Sequence, residues 1–145
     1  MSLPPFRDDG WLPPGHYSID WEEVANIFGG EPDSKREALL FKLIRFRDDL
    51  RECGCVGIIV LDGSFISEKA APEDFDVLLI LQPNIQEMKD NNTRLSRLLD
   101  AEMAECDDGI SVFYAPKNSK AISELYSIFD QSKAGSPKGV LEVEL

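Results

Sequence analysis

Cysteine and histidine are scarce in this chain, which has three cysteines and one histidine among its 145 residues. Because three is an odd number, the cysteines do not predict a disulfide framework, and one histidine excludes a histidine-rich metal site. Unpaired thiols are typical of proteins in a reducing environment. The sequence therefore predicts neither a domain held together by disulfides nor a zinc centre.

Long apolar runs are also missing. No window approaches the ~18 apolar residues that cross a bilayer. The first residues do not combine positive charge with an apolar stretch, so they do not match a secretion signal. We therefore expect no membrane partner and a cytoplasmic location.

Basic residues are also few compared with acidic ones. The sequence has 15 lysines and arginines and 27 acidic residues, which give a net charge of -12. An acidic chain repels polyanions at long range unless its basic residues cluster on one face. A nucleic-acid partner is therefore disfavoured.

The length and the 43% apolar content suit one domain with a single core. Residues 1–19 hold too many prolines and glycines for a regular element, yet Phe6, Trp11, Leu12 and Tyr17 predict an N-terminal arm that packs on the domain. The domain itself is expected to span residues 20–145.

Capping residues and apolar spacing predict two helices at the start of this domain. Asp20 is a plausible N-cap for a helix over Trp21–Phe28, which Gly29 and Gly30 end. Asp33 or Ser34 caps a longer helix that runs to about Cys53, with apolar residues recurring every three or four positions.

Short apolar runs predict four strands, at Val56–Leu61, Phe75–Gln82, Ile110–Tyr114 and Val140–Leu145. Between them, Asn84 caps a second long helix whose apolar face extends from Ile85 to Met103, and a third helix covers Ala121–Phe129. Strands that alternate with helices indicate the α/β class, with a small sheet of about four strands flanked by helices.

One stretch has the composition of a chemical site. Leu61-Asp62-Gly63-Ser64-Phe65 follows the first strand, and Asp74-Phe75-Asp76 opens the second. Antiparallel pairing of the two strands would place Gly63-Ser64 beside Asp74 and Asp76, whereas parallel pairing would separate them by ~20 Å. The connection of about 12 residues permits either pairing.

The residue types in this motif suit a metal and a phosphate. The carboxylates of Asp74 and Asp76 project from one face of an extended chain, and such hard oxygen ligands suit Mg²⁺ that bridges a phosphate. Gly63 allows close approach, and Ser64 adds a hydroxyl and an N–H at a possible helix N-terminus. The alternative interpretation is a plain turn followed by a solvated acidic strand start.

The joint spacing of Gly63-Ser64 and Asp74-Phe75-Asp76 resembles the signature of the DNA polymerase β-like nucleotidyltransferase superfamily, especially its minimal single-domain members. A closer resemblance is to an uncharacterised bacterial and phage family related to those enzymes. It is carried by Leu12-Pro13-Pro14-Gly15-His16 with Trp21-Glu22-Glu23, by Leu61 to Lys69 with Asp74-Phe75-Asp76-Val77, and by Pro137-Lys138-Gly139-Val140.

The resemblance implies a nucleotidyltransferase-like fold with a mixed sheet, in which the two strands around the motif run antiparallel. It implies that Asp74 and Asp76 are catalytic and bind Mg²⁺, and that Gly63 and Ser64 contact the phosphates of a nucleoside triphosphate. Lys69 could add positive charge to this nucleotide-binding site. The implied reaction is in-line attack on an α-phosphate assisted by two metal ions.

The third carboxylate of the superfamily has no obvious counterpart in this chain. The corresponding position is Ser111, and Asp107 with Asp108 or Glu142 with Glu144 are the possible substitutes. Without a substitute, the chain would be an inactive member of the fold, acting as an interaction module. The resemblance also implies that it could then be an antitoxin paired with a toxin protein.

Overall fold

The structure is a computed structural model that describes residues 3–72, 75–100, 110–131 and 137–145. Its centre is a mixed five-stranded sheet, with helices packed against both faces. The α/β class predicted from the sequence is therefore confirmed.

The first two helices agree closely with the prediction. Helix α1 (Trp21–Phe28) begins at Asp20, whose carboxylate accepts a hydrogen bond from the Glu23 backbone in a capping box. Helix α2 (Lys35–Glu52) begins at Ser34, whose hydroxyl caps the Glu37 N–H.

Two predicted strands form the centre of the sheet. Strand β2 (Gly57–Asp62) pairs antiparallel with β3 (Phe75–Leu81), which settles the strand direction that the sequence left open. Strand β4 (Ile110–Pro116) lies parallel to β3 and forms one edge of the sheet. Strand β5 (Gly139–Glu144) lies antiparallel to β2 on its other side.

The fifth strand was not predicted. Strand β1 (Gly15–Ser18) belongs to the N-terminal arm, pairs parallel with β5 and forms the other edge of the sheet. The expectation of an irregular arm is wrong at Gly15–Ser18, because hydrogen bonds to a strand more than 120 residues away override the local preference of glycine and proline. The sheet therefore has one strand more than the four that the sequence marked. Leu12 of this arm is buried in the core.

The predicted second long helix is divided in two, as α3 (Ile85–Asp90) and α4 (Thr93–Leu98). The break falls at Asn91 and Asn92, and the Asn92 side chain accepts a hydrogen bond from the Leu95 N–H to start α4. Asparagine side chains compete for backbone hydrogen bonds in this way and so favour caps over helix interiors. Met103, predicted on the same apolar face, lies outside the described residues.

Helix α5 (Ile122–Phe129) covers the second face of the sheet only in part. Helices α1 to α4 contribute to the large core on the first face. On the second face a small cluster consists of Val60, Leu78, Val140 and Phe129. Because side chains alternate between faces, Asp62, Asp76 and Ser111 lie on this less covered second face. No helix in the described part of the chain has the length and apolar character needed to span a membrane.

Candidate functional site

The antiparallel ladder of β2 and β3 brings the two halves of the motif together. Asp62, the last residue of β2, pairs directly with Asp76. Directly opposed residues of an antiparallel pair have Cα atoms about 4.5 to 5.5 Å apart. Gly63 and Ser64 follow Asp62 directly, so their backbone begins within a few ångströms of the Asp76 backbone.

The backbone at Gly63 requires glycine. Its φ of 94° and ψ of -178° fall in a region that residues with a Cβ almost never occupy. The chain then makes a single 3₁₀ turn over Ser64–Ile66. This turn is too short to provide the dipole of an α-helix, so the predicted helix N-terminus at Ser64 is present only as a 3₁₀ turn.

Arg36 on α2 holds the segment after this turn in place. Its guanidinium donates to the carbonyl oxygens of Phe65 at 2.6 Å, of Ser67 at 2.5 Å and of Lys69 at 2.6 Å. Burial lowers the pKa of Arg36 from its ordinary value, but arginine stays charged. Three peptide carbonyls therefore point towards α2, and the loop is fixed by charge-assisted hydrogen bonds.

A cavity of about 1040 Å³ opens at this end of the sheet, and we call it the motif pocket. It is wide enough for a nucleotide-sized ligand. The N-terminal arm forms one wall, the segment 62–69 and the ends of β3 and β4 form the floor, and the end of α5 closes the far side. Its lining includes Asp8, Asp9, Trp11, Asp62, Gly63, Ser64, Ser67, Glu68, Lys69, Asp76, Ser111, Phe113, Phe129 and Lys138.

A buried ion pair lies in the wall of the motif pocket. The Lys138 ammonium donates a hydrogen bond to the Asp62 carboxylate, and the two residues are only 4% and 5% exposed. Lys138 Nζ also lies 4.1 Å from the centre of the Trp11 ring, in a cation–π contact. The arm thus covers the ammonium, which has a carboxylate and an aromatic face as neighbours.

Four influences act on the pKa of the Asp62 carboxyl: burial, Lys138, a backbone hydrogen bond from Gly63 that lowers the pKa, and Asp76. Burial raises its pKa above the ordinary value, and Lys138 opposes this rise through its charge and its hydrogen bond. The negative charge of Asp76 adds to the rise, so the two carboxylates are within electrostatic reach of each other. Lys138 therefore compensates a carboxylate that both burial and Asp76 destabilise.

The position that the superfamily would fill with a third carboxylate is occupied by a hydroxyl. Ser111 on β4 pairs directly with Asp76 in the parallel ladder and lines the motif pocket. Glu142 and Glu144 line a separate cavity of about 1100 Å³ at the opposite end of β5. Glu142 there accepts a hydrogen bond from the Tyr126 hydroxyl at 3.0 Å and lies 3.2 Å from His16 Nδ1.

Four of the five predicted site residues share the motif pocket, namely Gly63, Ser64, Lys69 and Asp76. The fifth, Asp74, and the possible substitutes Asp107 and Asp108 lie outside the described residues. Within the described part of the chain, no three histidine, cysteine or acidic side chains are grouped so as to hold a metal ion. The described oxygen donors near Asp76 are therefore too few to surround Mg²⁺ alone, and water and phosphate oxygens would have to complete the coordination of the ion. Mg²⁺ commonly keeps several water ligands and binds phosphate oxygens in this way.

Sequence reasoning missed Asp62, Lys138 and Arg36 as parts of the site. Asp62 precedes Gly63 directly, and its position at the end of an apolar strand was the available indication that it would be buried. Nothing in the sequence pairs it with Lys138, which is 76 positions away. Arg36 was interpreted only as one of several basic residues on a helix face.

Neither a curated protein nor a solved structure matches this chain. A model of a family of unknown function, DUF6932, matches residues 4–144. The chain therefore belongs to the DUF6932 family.

Proposed function

We propose that this chain binds a nucleoside triphosphate with Mg²⁺ in the motif pocket and transfers the nucleotide to a small molecule or a protein side chain. The observation that carries the proposal is the pairing of Asp62 with Asp76, which brings Gly63-Ser64 and Asp76 into one pocket. The resemblance to nucleotidyltransferases requires this antiparallel arrangement, and a parallel pairing would have contradicted it.

Each described motif residue has a role in this proposal. Gly63 leaves space for a phosphate, Ser64 offers its hydroxyl and N–H, and Lys69 supplies a positive charge at the pocket edge. Asp76, together with Asp74, would hold Mg²⁺, which when bound neutralises phosphate charge. Arg36 keeps the phosphate-binding segment in one conformation, so little ordering is needed on binding.

The charges of the motif pocket make metal necessary for this ligand. Among the residues that the structure describes, its lining carries five carboxylates and two ammonium groups: Asp8, Asp9, Asp62, Glu68 and Asp76 against Lys69 and Lys138. A triphosphate without metal would be repelled by this excess of negative charge. Affinity for the triphosphate should therefore depend strongly on Mg²⁺.

The transfer step balances without a further reactant. An acceptor oxygen forms a bond to the α-phosphorus, and the bond from that phosphorus to its bridging oxygen breaks. Pyrophosphate leaves with the bonding electrons, and the acceptor proton passes to water. We propose a cytoplasmic location for this reaction, because triphosphates and Mg²⁺ are both abundant there.

The hydroxyl of Ser111 favours a second candidate, which is a protein that binds the nucleotide without transferring it. Ser111 lies beside Asp76, and its hydroxyl cannot act as a general base. A carboxylate at this position could take the proton from the attacking hydroxyl group. Such a protein could act as an interaction module, including an antitoxin paired with a toxin protein.

Pyrophosphate release separates these candidates. Purified protein is incubated with Mg²⁺ and each triphosphate, and the pyrophosphate released is measured. The incubation is repeated with the low-molecular-mass fraction of a cell extract and with protein acceptors. Transfer predicts release that the Asp74→Asn, Asp76→Asn double variant abolishes. Triphosphate binding with no release under any condition supports the second candidate, and no binding contradicts both.

A further inference from the structure

We infer that the Lys138 ammonium takes the place of a second metal ion, so that the motif pocket binds one divalent cation and not the two that the resemblance implies. The inference rests on the proposed function, because it concerns the metal that the proposal assigns to Asp76. It is derived from the surroundings of Asp62, Lys138 and Ser111.

The Asp62 carboxylate is the described acidic group best placed to share a second cation with Asp76, since the two residues face each other across the β2–β3 ladder. Asp62 already has a cation, because Lys138 donates a hydrogen bond to it and forms an ion pair. A divalent ion at Asp62 would lie within a few ångströms of this ammonium, and the two positive charges would repel each other.

The ammonium is held too firmly to move aside. Lys138 is 4% exposed, and Trp11 stacks on its ammonium. The backbone on both sides is also fixed, since Lys138 N–H donates to Asp130 at 2.8 Å and Gly139 N–H donates to Leu12 at 3.0 Å. Moving the Lys138 ammonium aside to admit a metal would therefore break its contacts with Asp62 and Trp11, on a backbone that is itself held in place.

The strand on the other side of Asp76 does not supply the missing charge. Ser111 pairs with Asp76 there, and a neutral hydroxyl is a weak ligand that offsets none of the charge of a second ion. One divalent ion at Asp76 and one fixed ammonium at Asp62 are the arrangement that these neighbours favour.

The number of bound ions tests the inference directly. Full-length protein is dialysed to equilibrium against Mn²⁺ and a non-hydrolysable triphosphate analogue, and the excess Mn²⁺ on the protein side is counted by elemental mass spectrometry. We expect one Mn²⁺ per chain in the native protein and in Lys138→Arg, which keeps the positive charge.

Two further variants keep the test decisive. Lys138→Met leaves Asp62 unpaired and should bind a second, weaker Mn²⁺. Because this variant could fail to fold, the Asp62→Asn, Lys138→Met double variant is measured beside it. The double variant lacks both charges, and we expect it to bind one Mn²⁺ with an affinity within about threefold of the native value.

The outcomes separate this inference from the proposed function. Two ions in the native protein, or loss of the single ion in the double variant, would overturn the inference and leave metal-dependent nucleotide binding intact. No bound Mn²⁺ in the native protein would overturn the proposed function as well. One ion in the native protein and two in Lys138→Met support both.

Discussion

Lys138 and Asp62 form a buried ion pair in the wall of the motif pocket, although 76 positions separate them in the chain. The pair joins the end of β2 to the segment before β5, and Trp11 of the N-terminal arm covers it. Three distant parts of the sequence therefore contact one another at the Lys138 ammonium. This ammonium lies beside Asp76, the carboxylate that we assign to metal binding.

Replacing Lys138 by methionine should destabilise the fold by about 3 to 5 kcal/mol, because the buried Asp62 carboxylate would lose its cation. Urea denaturation at pH 7 followed by circular dichroism measures this loss. The Asp62→Asn, Lys138→Met double variant is the control, since removing both charges should restore most of the stability. Equal losses in the single and double variants would show that the packing of the lysine chain matters more than its charge.

Replacing Arg36 by methionine should weaken triphosphate binding about tenfold or more, although Arg36 does not line the motif pocket. The variant loses charge-assisted hydrogen bonds to the carbonyls of Phe65, Ser67 and Lys69, each worth roughly 1.5 to 3 kcal/mol. Titration calorimetry with Mg²⁺ and a triphosphate measures the affinity. Arg97→Met, which removes an exposed arginine from α4, is the matched control and should leave it unchanged.

The stability of the fold should fall at alkaline pH because of Cys55. Burial, with a smaller contribution from Cys53, raises the pKa of the Cys55 thiol from 9.0 to about 11. The folded state therefore holds this proton more tightly than the unfolded state, so the stabilisation is complete below pH 9 and is lost between about pH 9 and 11. The expected loss is up to about 3 kcal/mol, for a shift of about two pKa units at roughly 1.36 kcal/mol each.

Denaturation curves of the native protein and of Cys55→Ala between pH 8 and 11 test this expectation. Alanine lowers stability at every pH by leaving a cavity, but it removes the titrating thiol. The free energies of unfolding of the two proteins should therefore converge as the pH rises. Parallel curves would show that Cys55 does not titrate differently in the folded state.

Local patterns in the sequence were sufficient for most of the fold. Asp20 and Ser34 cap α1 and α2 as predicted, and the apolar runs mark the four strands that carry strong hydrophobic periodicity. Strand β1 escaped prediction because its hydrogen bonds depend on β5, not on its own residues. The break between α3 and α4 escaped because apolar spacing continues through it, while Asn92 caps a new helix.

The site was predictable only in part, because some of its contacts also depend on segments that are distant in the sequence. Gly63, Ser64 and Asp76 form a motif with a fixed spacing, and two adjacent strands are enough to bring them together. The partners of Asp62 and the carbonyls held by Arg36 depend on tertiary packing between distant segments, which no local spacing encodes. Buried charges are the residues for which this limit matters most, because each needs a specific partner.

The central claim is that Asp76 and the Gly63-Ser64 turn bind a triphosphate through Mg²⁺. Titration calorimetry with each nucleoside triphosphate, with and without Mg²⁺, tests it most directly in the native protein, in Asp76→Asn and in Glu124→Gln, an exposed acidic residue of α5. We predict binding that requires Mg²⁺, that falls at least tenfold in Asp76→Asn and that is unchanged in Glu124→Gln. Native protein that binds no triphosphate in the presence of Mg²⁺, or an Asp76→Asn variant that binds as well as native protein, would contradict the claim.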